Sequence, residues 1–93
     1  MEIRYYLESD TGLPHIANHG VTEAEEDWVL RAPSEVRPGT DNSKHALRKT
    51  EFGRYLRVIY VVDEDGDGFF VITAYPLEGR QLQAFRRRRR KKR

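Results

Sequence analysis

The sequence predicts a small α+β domain, in which an antiparallel β-meander of three to four strands packs with two N-terminal helices and one C-terminal helix. The runs at 54–62 and 69–75 are dense in β-branched and aromatic residues, which suit a pleated, half-buried surface. Between them lies a polar stretch with glycines, 63–68, typical of the turn that closes an antiparallel pair. We expect the core to form on these two strands, because they carry most of the apolar side chains.

Three elements are expected in the first third of the chain. Residues 2–7 alternate apolar and polar side chains, which predicts a short edge strand. Residues 14–18 begin with a proline suited to a first helical turn and predict a short helix. Thr22 and Glu25 have the spacing of a capping box, so a second helix is expected to begin there and to end before Pro33.

The remaining segments complete the predicted order. Residues 33–43 are rich in Pro, Gly, Asp, Asn and Ser and predict a loop. Residues 44–50 predict a strand with no cleanly apolar face, which we expect either to lie at an edge of the sheet or to expose one face for a purpose. Residues 78–90 predict a C-terminal helix with Leu82 and Phe85 on its inner side.

Length and composition narrow the class of protein. The 93 residues make one domain, near the lower size limit for an adequate core. The absence of cysteine excludes disulfides and thiolate metal sites. The N-terminal stretch is too polar for a signal peptide, and no apolar run reaches membrane-spanning length. We therefore expect a cytoplasmic protein that does not contact a membrane.

Charge is very unevenly placed along the chain. Residues 86–93 carry eight cations, and without them the body at 1–85 has nine basic and fifteen acidic residues, a net charge of −6. We interpret 1–85 as the domain and 86–93 as a basic tail: a solvated arm, a helix meeting phosphate, or a strand on an acidic partner. A helix throughout the tail is not expected without a polyanion, because adjacent cations repel. The predicted nucleic-acid-binding cations are Arg57, Arg80, Arg86, Arg87, Arg88, Arg89 and Arg90.

Two motifs resemble metal sites. The aspartates at 63–67 match the opening of a calcium loop, but the twelfth position falls on Ala74, where a glutamate is needed. His15 and His19 are spaced to share a helical face, but no third ligand is evident. We therefore expect a charged turn, a capping histidine, and no metal or cofactor.

The central strands gather cations and aromatic rings, with His45 and Arg57 among the former and Tyr55 and Tyr75 among the latter. RNA recognition uses this combination, with phosphate on the cations and unstacked bases on the rings. Cleavage of RNA also needs a base for the 2′-hydroxyl, a charge for the phosphorane and an acid for the leaving oxygen. Composition alone favours an ordinary solvated strand face.

Four short motifs resemble a known family. They are His-Gly-Val-Thr at 19–22, Arg-Lys-Thr at 48–50, Gly-Arg-Tyr-Leu-Arg-Val-Ile-Tyr at 53–60 and Val-Ile-Thr-Ala at 71–74. Together with a basic C-terminal helix they resemble the BrnT-type toxins of the RelE/ParE superfamily, over roughly 15–88.

The resemblance implies a RelE-like fold and a small bacterial ribonuclease, the toxin of a type II toxin–antitoxin pair. RNA would be its substrate, and a cognate antitoxin protein would mask the site. The resemblance allows the toxin and antitoxin to assemble as a heterotetramer. The chain departs from the family pattern at Asn18, Tyr75, Gln81 and Phe85, where relatives carry Lys, Arg, Glu and Tyr. These departures point to a weakened or non-cleaving member.

We predict RNA cleavage without metal, and a non-catalytic module that binds nucleic acid or an acidic protein is the alternative. The predicted catalytic residues are His19, His45, Arg48, Lys49, Arg54 and Tyr75. The cations would hold phosphate and stabilise the transition state, a histidine would move protons, and the tyrosine would stack or act as an acid.

Overall fold

A computed structural model describes residues 2–5, 12, 19–64, 66 and 68–91. Within this part of the chain it contains two helices and five strands. In chain order the elements are β1 (Glu2–Tyr5), α1 (Glu23–Arg31), β2 (Glu35–Pro38), β3 (Lys44–Lys49), β4 (Tyr55–Val62), β5 (Gly68–Pro76) and α2 (Gly79–Lys91). The strands form one sheet in the order β1-β5-β4-β3-β2.

The predicted architecture is wrong in the make-up of its sheet and in its helices. Strands β2 to β5 form an antiparallel meander, but β1 adds a fifth strand that runs parallel to β5, with Ile3 opposite Phe69. A parallel neighbour is possible because the long chain between β1 and β5 can return to the same end of the sheet. Among the described residues only α1 precedes the meander, and the helix predicted over 14–18 lies outside them.

The predicted loop at 33–43 contains strand β2, which pairs with β3 through a tight turn. The Ser43 N–H donates to the Thr40 carbonyl over 3.0 Å, and Asp41 and Asn42 between them have φ of 54° and 64°. Turns with two such left-handed residues match the twist of antiparallel strands, and Asp and Asn tolerate that backbone. The polar composition that predicted a loop therefore belongs to a hairpin turn.

Strand β3 is an interior strand, so its predicted place at an edge is wrong. It lies between β2 and β4. Its two central residues, Ala46 and Leu47, are both 0% exposed. These side chains point to opposite faces of the sheet. Both faces are therefore covered at the centre of β3, whereas its two ends, Lys44 and Lys49, are exposed, and this gives the mixed pattern.

Helix α1 forms where its capping box predicts. The Glu25 N–H donates to Thr22 Oγ1 over 3.1 Å, and the Thr22 N–H donates to Glu25 Oε1 over 3.2 Å. Val29 and Leu30 are buried in the main core cluster with apolar residues of β3, β4 and β5. This helix covers one face of the sheet.

Helix α2 belongs to a second, smaller cluster with Leu47. Phe85 is 2% exposed in this cluster and Leu82 packs against it, as the sequence predicted. The helix continues to Lys91, one residue beyond the predicted end at 90. The repulsion among its cations is reduced because Arg88 binds the carboxylate of Glu35.

The sheet therefore has two distinct faces. Along β4, Leu56, Val58 and Tyr60 lie in the core cluster beneath α1. The alternating residues Tyr55 and Arg57 point to the other face, which we call the α2 face, and both are half-buried. No helix in the described residues is long and apolar enough to cross a membrane.

Candidate nucleic-acid interface

Four side chains from different elements form a row across the α2 face. Arg57 of β4 is paired with Tyr75 of β5. Arg57 Nη1 lies 3.0 Å from Nδ1 of His45 on β3, and the ring of His19 meets that of Tyr75 edge-on, with 6.0 Å between centroids. We call His45, Arg57, Tyr75 and His19 the His–Arg–Tyr row. Sheet register brings His45, Arg57 and Tyr75 together, and His19 joins them from the segment before α1.

The contact between Arg57 and His45 fixes the state of the imidazole. A guanidinium has only donors, so His45 Nδ1 accepts the hydrogen bond and the ring proton lies on Nε2. Burial, followed by the charge of Arg57, lowers the pKa of His45. Nδ1 is therefore already occupied, and His45 is better suited to orienting Arg57 than to taking up a proton.

The opposite edge of the His45 ring lies close to the backbone of Gly39. A Cβ at Gly39 would lie 2.6 Å from His45 Nε2, closer than real side chains approach. The turn between β2 and β3 can pack this tightly only because residue 39 is glycine. The imidazole is thus fixed between Gly39 and Arg57.

Two polar atoms on the α2 face are buried without a hydrogen-bond partner among the described residues. They are Arg57 Nε and Oγ1 of Thr73, which precedes Tyr75 by two positions on β5. Buried polar atoms are almost always satisfied, so these two are unusual in having no partner among the described residues. The row therefore combines a fixed guanidinium with unused hydrogen-bonding capacity.

Arg48, a predicted phosphate ligand, is not part of the row. Its guanidinium lies 4.2 Å from the Trp28 ring centroid, and its Nη1 donates to the Trp28 carbonyl over 2.8 Å. Arg48 lies two residues after Ala46 on β3, so both side chains point to the same face of the sheet, the one covered by α1. Its observed contacts join β3 to α1.

Arg54, another predicted phosphate ligand, is also committed elsewhere. Its Nε and Nη2 bind both oxygens of Glu25 at 2.8 and 2.6 Å, and Nη2 donates to the Gly20 carbonyl at 2.6 Å. This hydrogen bonding lowers the pKa of Glu25. Arg54 thus joins β4 to the beginning of α1.

We expect Arg54→Ala to lower the free energy of unfolding by about 1 to 2 kcal/mol, because charge-assisted hydrogen bonds to Glu25 and Gly20 are lost. Urea unfolding would measure this change. Arg31→Ala breaks an exposed pair with Asp27 and is the matched control, with little expected effect. Equal stability of the two variants would contradict a joining role for Arg54.

A cleft lies beside the row, between the sheet and α2. It has a volume of about 340 Å³ and is lined by Tyr55, Phe85, Arg86, Arg89 and Arg90. The Phe85 ring meets the Tyr55 ring edge-on at 5.9 Å, and Arg86 Cζ lies 5.7 Å from the Tyr55 centroid. Lys49 Nζ lies 5.6 Å from the same centroid. We call this the Tyr55 cleft.

The arginines of α2 divide into two groups. Arg88 makes a two-pronged contact with Glu35, which lowers the pKa of that carboxyl, and Arg89 donates to the Ser34 carbonyl over 2.7 Å. These two attach the helix to β2. The others are exposed: Arg80 in the first turn, and Arg86, Arg87 and Arg90 further along. The exposed group is available to a polyanion.

Each member of the row was predicted as a site residue from the sequence, but the bond between Arg57 and His45 was not. Tyr55 was predicted as a ring near the cations, and period-two alternation places it on the same face of β4 as Arg57. No three His, Cys, Asp or Glu residues in the described ranges gather as a metal site, and His15 lies outside those ranges.

Comparisons of the chain with known protein families, with curated proteins and with solved structures gave no significant match.

Proposed function

We propose that the protein binds RNA on the α2 face and cleaves it at the His–Arg–Tyr row without a metal ion. The observation that supports this most is the row itself, which shares the α2 face with the Tyr55 cleft. Arg57 there contributes a fixed cation, His19 and Tyr75 contribute groups that can exchange protons, and the cleft adds rings and further cations. Phosphate contacts on cations and bases on rings are the two modes by which proteins hold single strands.

The proposed reaction is transfer of a phosphoryl group from the 5′-oxygen to the 2′-oxygen within the RNA strand. The 2′-oxygen attacks the adjacent phosphorus, and the bond from phosphorus to the 5′-oxygen breaks. His19 takes the proton from the 2′-hydroxyl, and Tyr75 gives a proton to the leaving 5′-oxygen. Arg57 donates hydrogen bonds to the phosphorane oxygens, where charge develops in the transition state. The products are a 2′,3′-cyclic phosphate and a free 5′-hydroxyl.

We further propose that this activity serves as the toxin of a type II toxin–antitoxin pair. Support comes from the four motifs that resemble BrnT-type toxins and from the positive charge of the α2 helix. An antitoxin that covers the α2 face would need an acidic or strongly polar surface, because complementary charge guides such contacts.

Expression of the protein alone in a bacterial host tests the toxin role. We expect growth arrest with loss of RNA, both reversed when the neighbouring gene is expressed as well. The Arg57→Ala variant at matched soluble expression should allow growth. Normal growth with the soluble, unaltered protein would contradict the toxin role.

The role of His45 can be separated from acid–base chemistry by choosing the replacement. His45→Asn places an acceptor oxygen near the position of Nδ1, so Arg57 stays oriented, and we expect cleavage within about tenfold of the unaltered protein. His45→Phe removes the acceptor, and we expect a loss of about 100-fold, as a misplaced reacting group typically causes. Equal losses in both variants would instead make His45 a proton carrier.

A second candidate is a non-catalytic module that binds RNA or an acidic protein. The specific observation in its favour is that His45 Nδ1 is occupied by Arg57, which leaves the row with one other histidine, His19. Binding of RNA with no cleavage at any pH between 5 and 9 would favour this candidate.

A further inference from the structure

The walls of the Tyr55 cleft are held in position by contacts on both sides. Phe85 is buried in the cluster with Leu47 and Leu77, and its ring meets that of Tyr55. Beyond it along α2, Arg88 binds Glu35 through two nitrogens. Because both ends of this helical segment are attached to the sheet, the cleft exists before any ligand binds.

The lining combines one half-buried tyrosine ring with several cations. Tyr55 is half-buried, and Lys49 and Arg86 approach its ring within 6 Å. None of Lys49, Arg86 and Arg90 makes an ion pair within the described residues. Among the described residues no carboxylate lines the cleft, so its chemistry suits an anion that also has a flat ring.

We infer that the Tyr55 cleft is a stacking subsite for one unpaired base of single-stranded nucleic acid, whose flanking phosphates contact Arg86 and Arg90. A paired base in a duplex is stacked on its neighbours and cannot enter, whereas a splayed base can. This inference rests on the proposed function for its place in the reaction but not for the binding itself.

The subsite lies next to the proposed point of cleavage. Tyr55 and Arg57 are two residues apart on one face of β4, a distance of about 7 Å along the strand. A base on Tyr55 would therefore belong to a nucleotide adjoining the phosphate that Arg57 holds. Stacking there would orient the strand for cleavage.

The test measures binding of a short, fluorescently labelled single-stranded 2′-deoxy oligonucleotide, which the proposed reaction cannot cleave. We compare it with an oligomer of the same length whose bases are replaced by abasic sites and with the duplex. Stacking of one base predicts about tenfold weaker binding of the abasic oligomer, equal to about 1.4 kcal/mol. Equal affinity for both single strands would overturn the inference, because phosphate contact alone would then explain binding.

Variants of the protein give a second measure. We expect Tyr55→Leu to weaken binding of the base-bearing oligomer about tenfold and to leave the abasic oligomer unaffected. Arg90→Ala should cost more affinity than Arg80→Ala, which removes the same charge from α2 outside the cleft. Equal losses for the two arginine variants would indicate contact with charge alone and would contradict the subsite.

The two proposals can fail separately. Binding that depends on bases and on Tyr55, without RNA cleavage, would support the subsite and contradict the ribonuclease. Cleavage of RNA that is insensitive to Tyr55→Leu and to abasic substitution would support the ribonuclease and contradict the subsite.

Discussion

Replacing Arg57 with alanine is expected to lower the rate of RNA cleavage by about 100- to 1,000-fold, the usual loss when a donor to a developing negative charge is removed. The guanidinium is oriented by His45 and lies beside Tyr75, so no neighbouring cation of the row can substitute for it. Arg57→Lys keeps the charge but not the planar fork of donors, and we expect it to recover only part of the activity.

Cleavage of a labelled RNA oligonucleotide would measure this effect, with circular dichroism to confirm folding. Arg31→Ala is the control, because it removes one positive charge from an exposed site on α1, away from the α2 face. Full activity in folded Arg57→Ala would remove the row from the mechanism. A similar loss in Arg31→Ala would show that only net charge matters.

The second large effect concerns stability and involves Glu26 in the core. This residue is 0% exposed; Tyr5 Oη donates to its Oε2 over 2.7 Å, while its Oε1 has no partner among the described residues. The pKa of Glu26 is raised from 4.5 to about 7, mainly by burial, which the hydrogen bond from Tyr5 only partly offsets. The charges of Asp27 and Glu23 on the same helix contribute to this rise.

A raised carboxyl pKa means that the folded protein binds this proton more tightly than the unfolded chain. The stabilising effect is fully present below about pH 4.5 and is lost as the pH rises through about 7. The shift corresponds to about 3 kcal/mol of unfolding free energy. We therefore expect the Glu26 contribution to favour folding at pH 5 more than at pH 8.

Glu26→Gln isolates this contribution because it removes the titration but keeps an oxygen for Tyr5. Urea unfolding at pH 5 and pH 8 should show the variant gaining stability relative to the unaltered protein as the pH rises. Glu23→Gln, on the exposed side of α1, should show a much smaller change. An identical pH response in the unaltered protein and in Glu26→Gln would contradict the assignment.

Elements encoded by local contacts were predictable from the sequence. The capping box of Thr22 and Glu25 places the start of α1, because both hydrogen bonds lie within one helical turn. The hairpin of β4 and β5 follows from its strand composition and its turn, where the Asp63 N–H donates to the Gly68 carbonyl over 2.9 Å.

Elements that depend on distant pairing were not predictable. Strand β2 has three exposed residues out of four and lacks an apolar face, so only its turn at Asp41 and Asn42 marks it. The parallel pairing of β1 with β5 joins segments more than sixty positions apart, and no local pattern encodes it.

The candidate site shows the same division. Arg48 and Arg54 were chosen as cations near the sheet, but their partners, Trp28 and Glu25, lie on a helix whose packing the sequence does not specify. Arg57 and His45 were also chosen, yet their contact requires the register between β3 and β4. The sequence therefore indicated which residue types to consider, but not which of these residues contact one another in the fold.

The most direct test of the proposed function incubates the purified protein, with a chelator present, with an RNA oligonucleotide and with the same oligonucleotide lacking 2′-hydroxyl groups. We predict cleavage of the RNA alone, with a 2′,3′-cyclic phosphate on one product and a free 5′-hydroxyl on the other. The Arg57→Ala protein should leave both strands intact. Intact RNA after incubation with the folded, unaltered protein, or cleavage of both strands, would contradict the proposed reaction.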